Sequence, residues 1–284
     1  MRVMKIIGVS RGNLFSPNHI NNDTAIFRTV TERLIKGGYE VVCYTEEEFL
    51  EKQITGDYIF SMARSYDALE RLYMLEQAGS IVVNSSVGIR NCIRKPMTEL
   101  LVKNRVSHPR SYILSTHAPF ELNSFPYWIK RADSHAMVKT DVVYVETKEE
   151  AERVLADFRA RGILEAVVNE HLIGDLIKFY GVAGTEFFYM FYPTIEQSHS
   201  KFGLEAINGK SKGFPFDKRA LQRLATKAST VLNVPIYGGD CIISDVGEIQ
   251  IIDFNDWPSF ACCREEAATA IAQRILQQFA EKEK

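Results

Sequence analysis

The sequence predicts an α/β protein, with a parallel sheet in its first third and an α+β arrangement in its C-terminal part. Three observations lead there. Strand-like and helix-like segments alternate through the first ninety residues. From Tyr112 onward, extended segments follow one another with few helices between them. Glycines stop the early helical patterns, at Gly37-Gly38 and Gly79. At 284 residues the chain is long enough for one large α/β domain or two to three modules.

The elements follow in order. Val3 to Ser10 has the apolar run of a buried strand, and the polar stretch Arg11 to Asn22 follows it. Asp23 opens a helix with Ile26, Phe27, Val30, Leu34 and Ile35 at helical spacing, closed by Gly37-Gly38. Tyr39 to Tyr44, Tyr58 to Ser61 and Ile81 to Val83 read as strands, with a helix over Ser65 to Ala78. Alternation of this kind builds a parallel sheet. Lys95 to Lys103 is a short helix with Pro96 in its first turn. Strands follow at Tyr112 to Leu114, Tyr127 to Arg131 and Asp141 to Val145; the last two are antiparallel, joined by a mobile connection through Ala132 to His135. A helix over Lys148 to Arg161 leads to a strand over Glu165 to Asn169. Leu176 to Val182 and Glu186 to Phe191 are strands, and Asp217 to Leu232 is a long amphipathic helix. Strands Tyr237 to Ser244 and Glu248 to Phe254 join through Asp245-Val246-Gly247, and Arg264 to Glu281 is a closing helix.

Composition removes several function classes. Lys and Arg number 34 against 36 Asp and Glu, a formal charge of −2, so binding of nucleic acid by phosphate neutralisation is not expected. No apolar run approaches the ~20 residues that span a bilayer, and the first strand lacks a signal-peptide pattern. Five cysteines, an odd number with no CxxC pair, fit neither a disulfide framework nor a zinc site, and point to a cytoplasmic protein. The vicinal pair Cys262-Cys263 is either redox-active or two small buried apolar residues.

The residues with most chemical content lie near the C-terminus. Asp253 and Asn255, two apart on a strand, project to one face. A hairpin through residues 245–247 brings Asp240 beside them. Two carboxylates and an amide oxygen form a hard ligand set for Mg2+, and Mn2+ satisfies the same set; the same spacing also suits a polar hairpin edge with solvated acids. Lys95, Lys130 and Lys178 stand in apolar settings. They read as phosphate-neutralising ammonium groups or as snorkelling surface lysines. No Walker motif, GxGxxG or protein-kinase signature is present.

On these residues the sequence resembles the ATP-grasp superfamily, which includes D-alanine–D-alanine ligase, glutathione synthetase and the inositol trisphosphate kinases. Arg94-Lys95-Pro96 through Leu101 is similar to the family's DK…LL helix, with Arg94 in place of the usual Asp. Trp128-Ile129-Lys130 resembles its V-I-K strand, Val167 to Gly174 its hinge strand, and Leu176 to Val182 the inositol-kinase branch. Asp240, Asp253 and Asn255 match the metal-binding D…(E/D)-x-N pattern.

The resemblance implies an ATP-grasp fold with an N-terminal parallel-sheet pre-ATP-grasp domain over residues 1–90, a small ATP-grasp subdomain over 91–170 and a C-terminal subdomain over 171–284. It implies ATP bound by Lys95, Lys130, Ser134, Asn169, Glu170, His171, Leu172 and Lys178, with Mg2+ on Asp240, Asp253 and Asn255. Substrate groups are expected from the N-terminal sheet: Arg11, Arg64, Asn84 and Ser85, the two arginines being either a carboxylate or phosphate clamp or ordinary surface residues. Two departures stand out. The loop over residues 131–137, glycine-rich in the family, contains no glycine, so either its side chains replace backbone donors or it stays open until ATP binds. Gly238 stands where many amide-forming members carry an arginine. The implied activity is a carboxylate–amine ligase acting on a small molecule or peptide, with a small-molecule kinase and a non-catalytic nucleotide binder as alternatives. Homodimers are common among members of the family.

Overall fold

The structure, a computed structural model, describes residues 5–16, 18–193 and 207–282; Val3 and Met4 of the expected first strand lie outside them. Three four-stranded sheets organise the described residues. The first is parallel, in the order β2-β1-β3-β4, from β1 (Lys5–Val9), β2 (Glu40–Tyr44), β3 (Tyr58–Ser61) and β4 (Ile81–Val83). The connecting helices are α1 (Ile20–Lys36), α2 (Glu46–Glu51) and α3 (Tyr66–Gln77). α2 was not expected, because six residues establish no helical period. Its start is nevertheless written as a capping box, Thr45 accepting from the Glu48 amide and Glu48 reaching back to the Thr45 amide. α1 begins three residues before Asp23, and Asp23 is buried within its first turn.

The chain then passes through α4 (Ser86–Asn91), also unexpected, and α5 (Arg94–Lys103). The second sheet is antiparallel, in the order β5-β8-β6-β7, from β5 (Ser111–Ser115), β6 (Tyr127–Arg131), β7 (Val142–Val145) and β8 (Glu165–Glu170). α6 (Lys148–Ala160) covers one face, burying Ala151, Leu155 and Phe158 against Ile129 and Val168.

The third sheet, β10-β9-β11-β12, is also antiparallel and comprises β9 (Asp175–Val182), β10 (Phe188–Phe191), β11 (Ile236–Ile243) and β12 (Ile249–Asp256). The turn between β11 and β12 closes as expected: the Gly247 amide donates to the Ser244 carbonyl, and Gly247 takes a φ of 82° that suits glycine. α7 (Lys218–Leu232) lays Leu221, Ala225, Ala228 and Leu232 over one face, against Ile177, Phe179, Cys241 and Phe254. That face is closed, so the opposite face is the one available to a ligand. α8 (Arg264–Lys282) returns to the start of the chain, and its Ile271 and Ile275 share a core with Ile26 and Val30 of α1. Among the described residues no helix is long and apolar enough to cross a membrane.

Candidate active site

The open face of the third sheet is written in rows. Strand pairing sets Leu176 opposite Ile242, then Lys178 opposite Asp240, then Tyr180 opposite Gly238. On the other side of β11, Asp240 pairs with Asp253 and Gly238 with Asn255. An apolar row is thus followed by a charged row, Lys178–Asp240–Asp253, and then by Tyr180, Gly238 and Asn255.

A β-bulge makes the charged row possible. Cys241 pairs with Ile251 while its neighbour Asp240 pairs with Asp253, so Ile252 is an extra residue in β12. Ile251 packs in the core under α7. By strict alternation Asp253 would point to that same side; the extra residue re-aims it to the open face. The released Ile252 carbonyl accepts a hydrogen bond from Lys130 Nζ at 3.0 Å.

These rows floor a cleft of about 280 Å3 whose walls come from all three sheets and their loops. Trp128, Val142, Leu172, Leu176, Ile242 and Ile252 supply apolar surface, and the charged row and four arginine and lysine side chains beyond it supply polar surface. Lys178 Nζ meets both Asp240 carboxylate oxygens, at 3.1 and 3.2 Å. Lys130 is almost fully buried, and burial lowers its pKa to about 8 against the opposing pull of Asp253. Burial would raise the Asp253 carboxyl, but Arg94 and Lys130 outweigh it and hold it below its ordinary value. The Asn255 amide nitrogen donates to Asp253 at 3.2 Å, which fixes the pair on one face. Two carboxylates with an amide oxygen suit Mg2+, whose remaining positions phosphate oxygens and water complete. The Lys178 ammonium sits on Asp240, so that carboxylate already balances one positive charge.

Beyond Asn255, β12 ends in Asp256, which no sequence pattern singled out. It is fully buried and pairs with Arg64 at 2.7 Å and Arg11 at 3.3 Å. Arg11 also pairs with Asp23 at 3.1 Å and donates to the carbonyls of Met62 and Trp257. Arg11 and Arg64 do line the cleft, but as members of this network rather than as surface residues or unengaged clamps. His135 Nε2 stands 3.5 Å from Asp256, beyond a good hydrogen bond. Burial, and then the charge of Arg64, lower its pKa to about 4, so the ring is neutral at pH 7.

The remaining candidates divide. Asn169, Glu170 and Leu172 line the cleft. His171 instead serves as acceptor for Trp128 Nε1 at 3.1 Å, holding that ring in the wall. The backbone amides of Glu170 and His171 are already bonded, to the carbonyls of Arg110 and Pro126. Lys95 points elsewhere: its ammonium is paired with Glu165 at 2.6 Å, and Arg94, one residue earlier on α5, lines the cleft in its stead. The glycine-free loop is held by hydrogen bonds at both ends. The Ser134 carbonyl accepts from Arg94, and Asp141 accepts from the amides of Met137 and Val138. The Ser134 hydroxyl donates to its neighbour's carbonyl, so His135, not Ser134, faces the cleft. Asn84 is fully buried and exchanges two hydrogen bonds with the backbone of Ile236; Ser85 caps α4. Both join elements together, and neither lines the cleft.

No family model and no curated protein matches this sequence. Solved structures do match in fold. The D-alanine–D-alanine ligase of Bacillus anthracis complexed with ATP superposes with a TM-score of 0.72 at 14% identity, covering 99% of this chain and 99% of that one. A RimK domain ATP-grasp protein of Sphaerobacter thermophilus gives 0.67 at 16% identity, covering 95% and 99%. The VanG D-Ala:D-Ser ligase of Enterococcus faecalis gives 0.67 at 13%, covering 98% and 100%. The chain therefore has the ATP-grasp fold.

Proposed function

We propose that this protein of ATP-grasp fold is an ATP- and Mg2+-dependent ligase, which activates the carboxylate of a small molecule or peptide as an acyl phosphate for attack by an amine. The observation that carries the reading is the charged row Lys178–Asp240–Asp253 with Lys130 beside it, set on the floor of a cleft with an apolar wall. Trp128, Leu172, Leu176 and Ile242 suit a flat base. Lys130 and Lys178 are point charges for the phosphates. Asp240, Asp253 and the Asn255 oxygen would hold Mg2+, which supplies neutralisation of phosphate charge when bound.

In the proposed reaction a carboxylate oxygen of the substrate attacks the terminal phosphorus and ADP leaves. The amine then attacks the acyl carbon, phosphate departs, and the amine loses its proton. The chain's contribution is positioning and charge neutralisation in a site sheltered from water. The Arg11–Asp23–Asp256–Arg64 network holds the N-terminal loops against the end of β12, at the end of the cleft proposed for the acceptor.

One observation favours a second reading, a small-molecule kinase. A Cβ on Gly238 would lie 2.8 Å from both Pro258 and Tyr180, so no side chain extends from that position over the reacting centre. Hydroxylamine separates the two. A ligase incubated with ATP, Mg2+ and its carboxylate substrate yields a hydroxamate and ADP. A kinase yields ADP and a phosphorylated product but no hydroxamate, and that result would overturn the ligase reading.

A further inference from the structure

The cations that line the cleft differ in what they already hold. Arg11 and Arg64 are bound to carboxylates, and Lys178 meets Asp240. Lys130 donates to the Ile252 carbonyl and lies close enough to Asp253 to feel its charge. Arg94 is different. It opens α5, is only 6% exposed, and donates from one terminal nitrogen to the Ser134 carbonyl at 3.1 Å. Its buried Nε has no hydrogen-bond partner, and it forms no ion pair among the described residues. A guanidinium keeps its charge in any protein environment. The charges of Asp253 and Asp141 offset the burial of Arg94, but no carboxylate among the described residues pairs with it directly, so its guanidinium is left to take an anion from the cleft.

Helix geometry explains why Arg94 holds this place. Consecutive residues on a helix point about 100° apart, so Arg94 and Lys95 cannot both face the cleft. Lys95 is drawn outward by Glu165, and its own backbone amide is bonded to the Ala132 carbonyl. Arg94 is left on the inner side, where it shares one locus with the charged row. Burial lowers its pKa, and the largest opposing influence is the charge of Asp253, the same carboxylate that acts most on Lys130.

We propose that Arg94 is the anion-binding residue that receives the terminal phosphoryl group of the nucleotide, at the position where the sequence pattern points to Lys95. The assignment rests on the nucleotide reading above. A phosphoryl group fits because Arg94 lines the cleft together with Lys130 and the charged row, whereas Arg11 and Arg64 are already paired with Asp256. The planar guanidinium binds two oxygens at once.

The test compares ATP with ADP by calorimetric titration in Mg2+, on wild type, Arg94→Met and Lys95→Met. A charge-assisted contact of this kind is worth roughly 10- to 100-fold in affinity. Arg94→Met is expected to weaken ATP by that factor while leaving ADP within about threefold of wild type. Lys95→Met retains the wild-type ATP-to-ADP ratio. Using a ratio guards against a folding defect, which would weaken both nucleotides together; Arg94→Lys, which keeps the charge, is expected to recover part of the ATP preference. Equal affinities of wild type and Arg94→Met for ATP, or parallel loss of ATP and ADP in both Arg94 variants, would overturn the assignment and leave the nucleotide site standing. Failure of wild type to bind either nucleotide would overturn both.

Discussion

Lys130 Nζ donates to the carbonyl of Ile252, 3.0 Å away, and Ile252 is the one extra residue that turns Asp253 toward the cleft. A single irregularity in β12 thus does two things. It sets two carboxylates opposite each other on adjacent strands, and it frees a backbone acceptor that anchors the ammonium group between the second and third sheets. Neighbouring positions on the same strand then diverge in role: Asp253 and Asn255 face the cleft, whereas Asp256 holds the N-terminal loops.

The buried setting of Lys130 predicts a pH dependence. Its folded pKa of about 8 lies below the ordinary 10.5, so it loses its charge as pH rises through about 8 in the nucleotide-free protein. ATP affinity is expected to fall by up to tenfold per pH unit above that value. Lys130→Arg stays charged, and its affinity is expected to remain flat from pH 7 to 9.5 in the same titration. The stability effect has the opposite sign. Between about 8 and 10.5 the unfolded chain holds this proton more tightly than the folded one, so this group makes the fold more stable as pH rises across that window.

Asp256 predicts a stability change. Burial alone would raise its carboxyl pKa, but Arg64 and the rest of its surroundings hold it far below the usual carboxylate range. Its contribution is therefore present above the unfolded value near 4 and lost as pH falls below it. Asp256→Asn leaves Arg11 and Arg64 buried beside an uncharged group, and is expected to cost about 3–5 kcal/mol in urea unfolding at pH 7. The variant is also expected to lose less stability than wild type between pH 4 and pH 2.

Much of the fold was legible in the sequence, for identifiable reasons. Strands Tyr58–Ser61, Ile81–Val83 and Tyr127–Arg131 stand where their apolar runs begin and end, and the hairpin of β11 and β12 follows from its glycine turn. What was hidden depended on contacts between distant segments or on local phase. α2 and α4 are too short to show a period, although Thr45 and Ser85 mark their starts. The bulge at Ile252 leaves no trace in composition. Arg94 and Lys95 differ by one helical step, and only the position of Glu165 decides which faces outward. Asp256 draws its importance from Arg11 and Arg64, some two hundred residues earlier in the chain.

The proposed function depends on Asp240, Asp253 and Asn255 forming a cation site that works with bound ATP. The direct test is calorimetric titration of ATP, with and without Mg2+, on wild type and Asp253→Asn, with thermal melts to establish that both are folded. Mg2+ is expected to strengthen ATP binding to wild type by at least roughly tenfold and to have no such effect on the variant. Equal Mg2+ dependence in the two proteins, or no ATP binding to wild type under either condition, would contradict it.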